Sequence, residues 1–88
     1  MIYLDLDEFL LISQAAALCW HLARNHPLPD GNKRAAFLSM VELLERNGTR
    51  WPDPYDIGEA EEVVRGVAAG TVDVEELAEW VRKQNGVL

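Results

Sequence analysis

The chain has 88 residues, 49% of them hydrophobic, and a formal net charge of −7. A chain of this length forms one domain, residues 1–88, whose thin core buries about 60 to 65% of the surface that the unfolded chain exposes. The acidic charge repels phosphate backbones and argues against a nucleic-acid binder, and the apolar runs are too short for a membrane span of about 20 residues.

Cysteine usage and the start of the chain indicate the compartment. The single cysteine, Cys19, lies in an apolar stretch, so no intrachain disulfide forms and a reducing environment is expected. No charged and then apolar leader opens the chain. These features predict a soluble, cytoplasmic protein that binds neither nucleic acid nor membrane.

The first apolar pattern predicts a helix from about Asp7 to Arg24. Its apolar residues recur at steps of three and four, which is typical of one buried helical stripe. The stripe consists of Phe9, Ile12, Ala16, Cys19, Trp20 and Ala23. His21 on the same helix is interpreted as an ordinary solvated side chain.

A second helix is predicted from about Asn32 to Asn47. It stops at Gly48, because glycine suits the left-handed conformation that ends many helices. Its polar residues Glu42, Glu45 and Arg46 face outward. Its inward residues are Ala36, Phe37, Met40, Val41, Leu43 and Leu44.

Two further helices complete the chain. Pro52 and Pro54 exclude a helix from the segment TRWPDPYD and leave Trp51 placed to fold back on the core. A third helix is expected from about Asp56 to Ala69, ending at Gly70. The fourth covers about Val74 to Gln84, and its buried residues are Leu77, Trp80 and Val81.

The start of the fourth helix has a second interpretation. Asp73 and Glu76 have the spacing of a capping box, which favours a simple helix start over a regulatory motif in TVDVEE. Short connections between the helices favour antiparallel packing. The sequence therefore predicts an all-α, compact bundle of about four helices.

Polar chemistry collects at one helix junction, in the stretch NHPLPDGNKRAAF at residues 25–37. Asp30 can be simply the N-cap of the second helix. Lys33 and Arg34, however, occupy a first turn where the helix dipole disfavours cations by about 0.3 to 1 kcal/mol each. A bound anion such as phosphate would compensate for them, and Gly31 lets the backbone come close to it.

Two neighbouring residues fit phosphate chemistry. Asp30 beside a phosphate is a natural ligand of Mg²⁺, which binds through one or two carboxylates and phosphate oxygens. Histidine is the side-chain type with an unperturbed pKa of about 6.5, so His26 can accept a proton from a hydroxyl nucleophile. The junction therefore predicts a phosphate and magnesium site with a histidine base.

The string HPLPDGNKRAA resembles the signature of the Fic/Doc family, H-x-F-x-[D/E]-[G/A]-N-[G/K]-R. The resemblance extends from about Ala15 to the C-terminus, and Lys33 after the Asn resembles the Doc branch more than the Fic branch. It implies that His26 is the catalytic base, that Asp30 holds Mg²⁺, and that Asn32 and Arg34 bind phosphate.

In Doc-like proteins a lysine at the position of Lys33 is associated with phosphate transfer instead of nucleotidyl transfer. The resemblance thus implies ATP as phosphate donor and a protein hydroxyl as acceptor, in elongation factor Tu. It also implies a Phd-like antitoxin partner. The expected protein is a translation-inhibiting toxin of a toxin–antitoxin system, and a homo-oligomer is left open.

The sequence departs from the family pattern at three places. Leu28 stands where the motif has Phe, and Phe37 stands where Fic proteins have a second phosphate-binding Arg. The chain is also expected to lack the N-terminal flap against which the target docks. Two alternatives remain: a Fic-like adenylyltransferase, or a truncated, catalytically inactive binding module; a helical bundle without either function would leave Lys33 and Arg34 unexplained.

Overall fold

The computed structural model describes residues 6–25 and 32–85. Regular structure within these two ranges is entirely helical: α1 (Leu6–Asn25), α2 (Asn32–Arg46), α3 (Ile57–Ala69) and α4 (Val74–Gln84). The predicted all-α bundle is confirmed, and each predicted helix end lies within one residue of the observed one. Over the described ranges, no helix is both long and apolar enough to cross a membrane.

The core forms around α1, which packs against each of the other helices and most extensively against α2. The residues of α1 that are fully buried, Ile12, Ala16 and Cys19 among them, have the three- and four-residue spacing of the predicted stripe. The larger side chains that meet them are Met40, Leu44, Val64, Val67, Leu77 and Val81. Helix packing on α1 therefore carries most of the apolar burial.

One predicted core residue is wrong. Phe9 is 44% exposed, whereas Ile12, one turn later, is fully buried. The Arg82 guanidinium lies over the Phe9 ring, 4.0 Å from its centroid, and also donates a hydrogen bond to the Ser13 hydroxyl. Phe9 belongs to the first turns of α1, where a charged side chain of α4 covers one face of the ring and the rest remains at the surface.

Two of the predicted buried tryptophans keep part of their surface exposed. Trp20 and Trp80 are half-buried and pack against the edge of the core. The indole Nε1 of Trp80 donates to the carboxylate of Glu59 at 2.7 Å. A tryptophan with a polar partner at the surface remains at the edge of a core, because burial would break that hydrogen bond.

The helix ends follow local chemistry as predicted. Gly48 and Gly70 have φ values of 89° and 85°, in the left-handed region where a side chain is unfavourable. At the start of α4, Glu76 N–H donates to Asp73 Oδ1 at 2.8 Å and Asp73 N–H donates to Glu76 Oε1 at 3.1 Å. This reciprocal pair confirms the capping box and the interpretation of TVDVEE as a helix start.

The segment between α2 and α3 returns to the core through an aromatic cluster. Trp51 is 7% exposed, as predicted, and its ring meets Phe37 edge to face at 5.4 Å between centroids. Tyr55 lies 5.8 Å from Phe37 and 6.0 Å from Trp51. Because Phe37 lies one turn after the first residues of α2, this cluster brings Tyr55 beside the predicted site.

Candidate active site

The described part of the predicted site is the first turn of α2. Asn32 is the first residue of that helix, and the exposed Lys33 and Arg34 follow it. The Asn32 side chain is not among the described ones. Outside the described residues lie the three other predicted site residues, His26, Asp30 and Gly31. Their roles, including the N-cap interpretation of Asp30, stay predictions.

The first turn of α2 carries two cations and no acidic residue. The backbone N–H groups of this turn have no acceptor within the helix and form the positive end of the helix dipole, so they add to the charge of Lys33 and Arg34. Neither side chain forms an ion pair or hydrogen bond with another residue in the described ranges. Within those ranges, the structure shows no carboxylate that neutralises either cation.

A groove of about 480 Å³ opens beside these cations, between α2 and α3. Leu38 of α2 and Ile57 of α3 both line this groove and are 55% and 59% exposed. The groove is lined by apolar and aromatic residues at Phe37, Leu38, Tyr55 and Ile57, by the cations Lys33, Arg34 and Arg65, and by the acid Glu61. It suits an elongated anion that has a flat, apolar end.

Sequence reasoning offered no motif for two residues, Tyr55 in the groove and Arg24 in α1. Tyr55 enters the groove because the chain folds back at Trp51, and only its position after two prolines indicated a turn. Arg24 lies in the last turn of α1 and donates from Nη1 to the main-chain carbonyl oxygen of Val67, 3.3 Å away. Arg24 and Val67 are 43 positions apart, and the periodicity of the sequence cannot reveal such a contact.

Other candidate reactive groups in the described ranges are inert or solvated. Cys19 is fully buried, and burial raises the pKa of its thiol to about 12, so the thiol stays protonated and is a poor nucleophile. His21 is exposed, as predicted, and its Nδ1 lies 3.3 Å from the Asn25 side-chain amide. No cluster of three metal-ligating side chains occurs in the part of the chain that the structure describes. Since Asp30 lies outside that part, the Mg²⁺ site stays a prediction.

Comparison with known proteins agrees with the motif. The sequence model of the Fic/DOC family matches residues 1–44, which contain α1, the motif and most of α2. The chain is 40% identical over 68 residues to "Toxin Doc" of Mycolicibacterium smegmatis (strain ATCC 700084 / mc(2)155), a match covering 77% of this chain and 52% of that protein. The chain thus matches about half the length of this relative, and no solved structure matches it. Because the family model matches half of its residues, the chain belongs to the Fic/DOC family.

Proposed function

We propose that this protein is a Doc-like toxin that transfers the γ-phosphate of ATP to a hydroxyl of a protein target. The observation that carries the proposal is the first turn of α2, where Lys33 and Arg34 are exposed and unpaired within the described ranges. The similarity to "Toxin Doc" supports the same function. By that resemblance the proposed target is elongation factor Tu, and the proposed inhibitor is a Phd-like antitoxin.

The groove between α2 and α3 suits the proposed donor. Phosphates at the start of α2 would receive hydrogen bonds from backbone N–H groups and from the Arg34 guanidinium, and charge neutralisation from Lys33. The nucleoside would extend along the groove, where Phe37 and Tyr55 offer aromatic surface. A groove lined by apolar, aromatic and cationic side chains matches the two chemical parts of a nucleotide.

The proposed reaction is an in-line displacement. The target hydroxyl oxygen forms a bond to the γ-phosphorus, the bond from that phosphorus to the β–γ bridging oxygen breaks, and ADP leaves. His26 takes the hydroxyl proton as general base. Mg²⁺ held by Asp30 and phosphate oxygens would neutralise charge on the transferring group. Positioning and charge stabilisation supply most of the catalysis in phosphoryl transfer, so few protein groups are needed.

The experiment that tests this function uses ATP labelled at either the α- or the γ-phosphate, incubated with the protein and elongation factor Tu. Only the γ label should reach the target. Transfer of the α label would overturn phosphate transfer in favour of adenylylation. Lys33→Gly should weaken transfer, whereas Lys83→Gly, a matched exposed lysine in the last turn of α4, should leave it within about twofold of wild type.

A second candidate function is binding of a partner protein without catalysis. It is supported by the exposed Leu38 and Ile57, which both line the groove, since contiguous exposed apolar surface marks many protein contacts. A Phd-like antitoxin is the partner to test. Calorimetry should show that Ile57→Glu weakens its binding at least tenfold; tight binding by a chain that moves neither label would favour this candidate over the enzyme.

A further inference from the structure

The exposed large hydrophobic side chains of the described ranges fall in two groups. Phe9 and Leu10 are neighbours near the start of α1, whereas Leu38 and Ile57 line the groove between α2 and α3. Exposed apolar surface of this kind marks many protein contacts. Each group is therefore a candidate contact surface, and the charges around it indicate what it can contact.

The group near the start of α1 lies beside acidic residues. A depression of about 320 Å³ next to Leu10 is lined, among the described residues, by two acids and no cation. Arg82 covers one face of Phe9, but Glu79 pairs with this guanidinium at 3.4 Å. The charge beside these apolar side chains is thus negative. We call this surface the α1 patch, and it consists of Asp7, Glu8, Phe9 and Leu10.

The groove between α2 and α3 has the opposite charge. Its lining contains three cations, Lys33, Arg34 and Arg65, and one acid, Glu61. Glu62 pairs with Arg65 at 3.1 Å, whereas no carboxylate of the described ranges neutralises the two cations of α2. The groove therefore presents positive charge beside apolar side chains, and the α1 patch presents negative charge beside apolar side chains.

The α1 patch and the groove cations lie at opposite ends of α2. Asn47, which directly follows α2, lines the same depression as Asp7 and Gln14, so α1 begins where α2 ends. From Lys33 to its last residue, Arg46, α2 rises by about 20 Å. One molecule therefore cannot bring its own α1 patch into its own groove, but it can offer the two surfaces to two other copies.

We propose that this protein associates head to tail, with the α1 patch of one copy in the groove of the next. In this contact Leu10 packs against Leu38 and Ile57, and Asp7 approaches Lys33. Pairing of two α1 patches, or of two grooves, would instead bring like charges together, which is unfavourable. A contact between two different surfaces extends to a chain or closes to a ring.

The contact does not depend on phosphate transfer, but it bears on it. The groove is also the site proposed above for ATP, and one groove cannot hold both occupants. Association of copies therefore closes the groove to the nucleotide, and the free copy is the one that can bind it.

Two variants, each altering one surface, test the contact by analytical ultracentrifugation. The weight-average mass of the wild-type chain should rise above 9.9 kDa with concentration. Leu10→Lys and Leu38→Gln should each stay monomeric under the same conditions, because the first places a cation against the groove cations and the second removes apolar contact. Both side chains are exposed, so both variants should keep the circular dichroism spectrum of wild type.

An equimolar mixture of the two variants is the decisive sample. It should form a dimer and nothing larger, because Leu10→Lys retains an intact groove and Leu38→Gln retains an intact α1 patch. The control Glu75→Gln changes the net charge as much as Leu10→Lys does, lies on α4 outside both surfaces, and should associate as wild type does. About 1 M salt should weaken association, because the Debye length falls to about 3 Å.

Other results would overturn the inference. A symmetric contact between like surfaces would be lost in only one of the two variants, and the other variant would still associate by itself. A mixture that stays monomeric, or a wild-type chain that is monomeric up to about 1 mM, would exclude the head-to-tail contact and favour a partner of different sequence for the groove.

ATP distinguishes this inference from the proposed function. If both hold, saturating ATP should return the associated wild-type chain to monomer. If ATP leaves the mass unchanged while the mixed variants still form their dimer, the head-to-tail contact is supported and the nucleotide site proposed for the groove fails.

Discussion

Two helices of this bundle begin in opposite ways. α4 begins with the N-cap Asp73, a complete capping box and two acidic residues, Glu75 and Glu76, in its first turn. α2 begins with Lys33 and Arg34 next to its first residue and has no acidic residue in its first turn. The start of α4 follows each rule for helix stability, and the start of α2 breaks the rule for charge.

The charges at the start of α2 lower the stability of this small domain, which we attribute to the phosphate binding proposed above. Acidic groups stabilise a helix start, and cations there are unfavourable by about 0.3 to 1 kcal/mol each when exposed. A domain of this size has about 5 to 10 kcal/mol of total stability, so two such cations are a substantial cost. A bound phosphate would make the contribution of these cations to stability favourable, because the cations and the backbone N–H groups would both attract the anion.

The largest effect is expected from His26, the proposed base, which precedes α2 in the sequence. His26→Ala should lower phosphate transfer by about 10²- to 10⁴-fold, the contribution typical of a general base, without changing the melting temperature much. The measurement is transfer of γ-labelled phosphate to elongation factor Tu.

The other histidine of the chain provides the control. His21 is exposed on α1, so His21→Ala should retain transfer within about twofold. Equal activity in His26→Ala and wild type would remove His26 from the mechanism, and the comparison of the two helix starts would then indicate an anion site without catalysis.

The next effect concerns the anion itself. Arg34→Ala should weaken binding of inorganic phosphate by about 10- to 100-fold, since a hydrogen bond to a charged group contributes about 1.5 to 3 kcal/mol. The free energy of unfolding without phosphate should change by less than about 0.5 kcal/mol or rise slightly. Titration calorimetry and urea unfolding measure the two quantities.

Arg46 provides the matched control at the other end of the same helix. It is exposed in the last turn of α2 and paired with Glu42 at 2.7 Å. Arg46→Ala removes the same charge and should leave phosphate affinity unchanged. If both variants lost affinity equally, long-range charge alone would explain binding, and the start of α2 would have no special role.

The fold was largely predictable because its signals are local. Gly48, Gly70 and Asp73 determine helix ends through their own backbone preference or a contact three residues away, so sequence spacing is enough to find them. The burial of Phe9 was wrongly predicted. The spacing of apolar residues shows which face of α1 is buried, but it does not show how far along α1 the neighbouring helices extend. Arg82 lies 73 positions away, and its contact with Phe9 depends on the packing of α1 and α4.

The candidate site was predictable only in part, for the same reason. Lys33 and Arg34 were recognisable because cations in a first turn contradict a local rule. Tyr55 and Arg24 became visible only when helix packing placed them beside Phe37 and Val67. The roles of His26 and Asp30 rest on the motif, and the experiments on transfer and phosphate binding are what test them.

The start of α4 should respond in the opposite sense to that of α2. Asp73→Ala removes the acceptor of the Glu76 N–H and should lower the free energy of unfolding by about 1 kcal/mol, or the melting temperature by about 4 to 8 °C. Phosphate affinity should not change, because α4 contributes no residue to the groove. A loss of phosphate binding in folded Asp73→Ala would mean that the two helix starts are coupled.

The smallest effect tests the comparison most directly, because the chain has two lysines at opposite helix ends. Lys33 is exposed in the first turn of α2 and Lys83 is exposed in the last turn of α4. Without phosphate, Lys33→Gln should raise the free energy of unfolding by about 0.3 to 1 kcal/mol and Lys83→Gln should lower it by a similar amount, since the helix dipole disfavours the first cation and favours the second. Both changes remove one positive charge, so a general effect of net charge would give the same sign in each. Urea unfolding at low salt measures the pair, and about 1 M salt should shrink both differences because the Debye length falls to about 3 Å. With saturating phosphate, the Lys33→Gln variant should be less stable than wild type, since it binds the stabilising anion more weakly.

A different result would contradict the comparison of the two helix starts. If Lys33→Gln lowered the free energy of unfolding without phosphate, Lys33 would stabilise the fold itself, and the contrast between α2 and α4 would lose its basis.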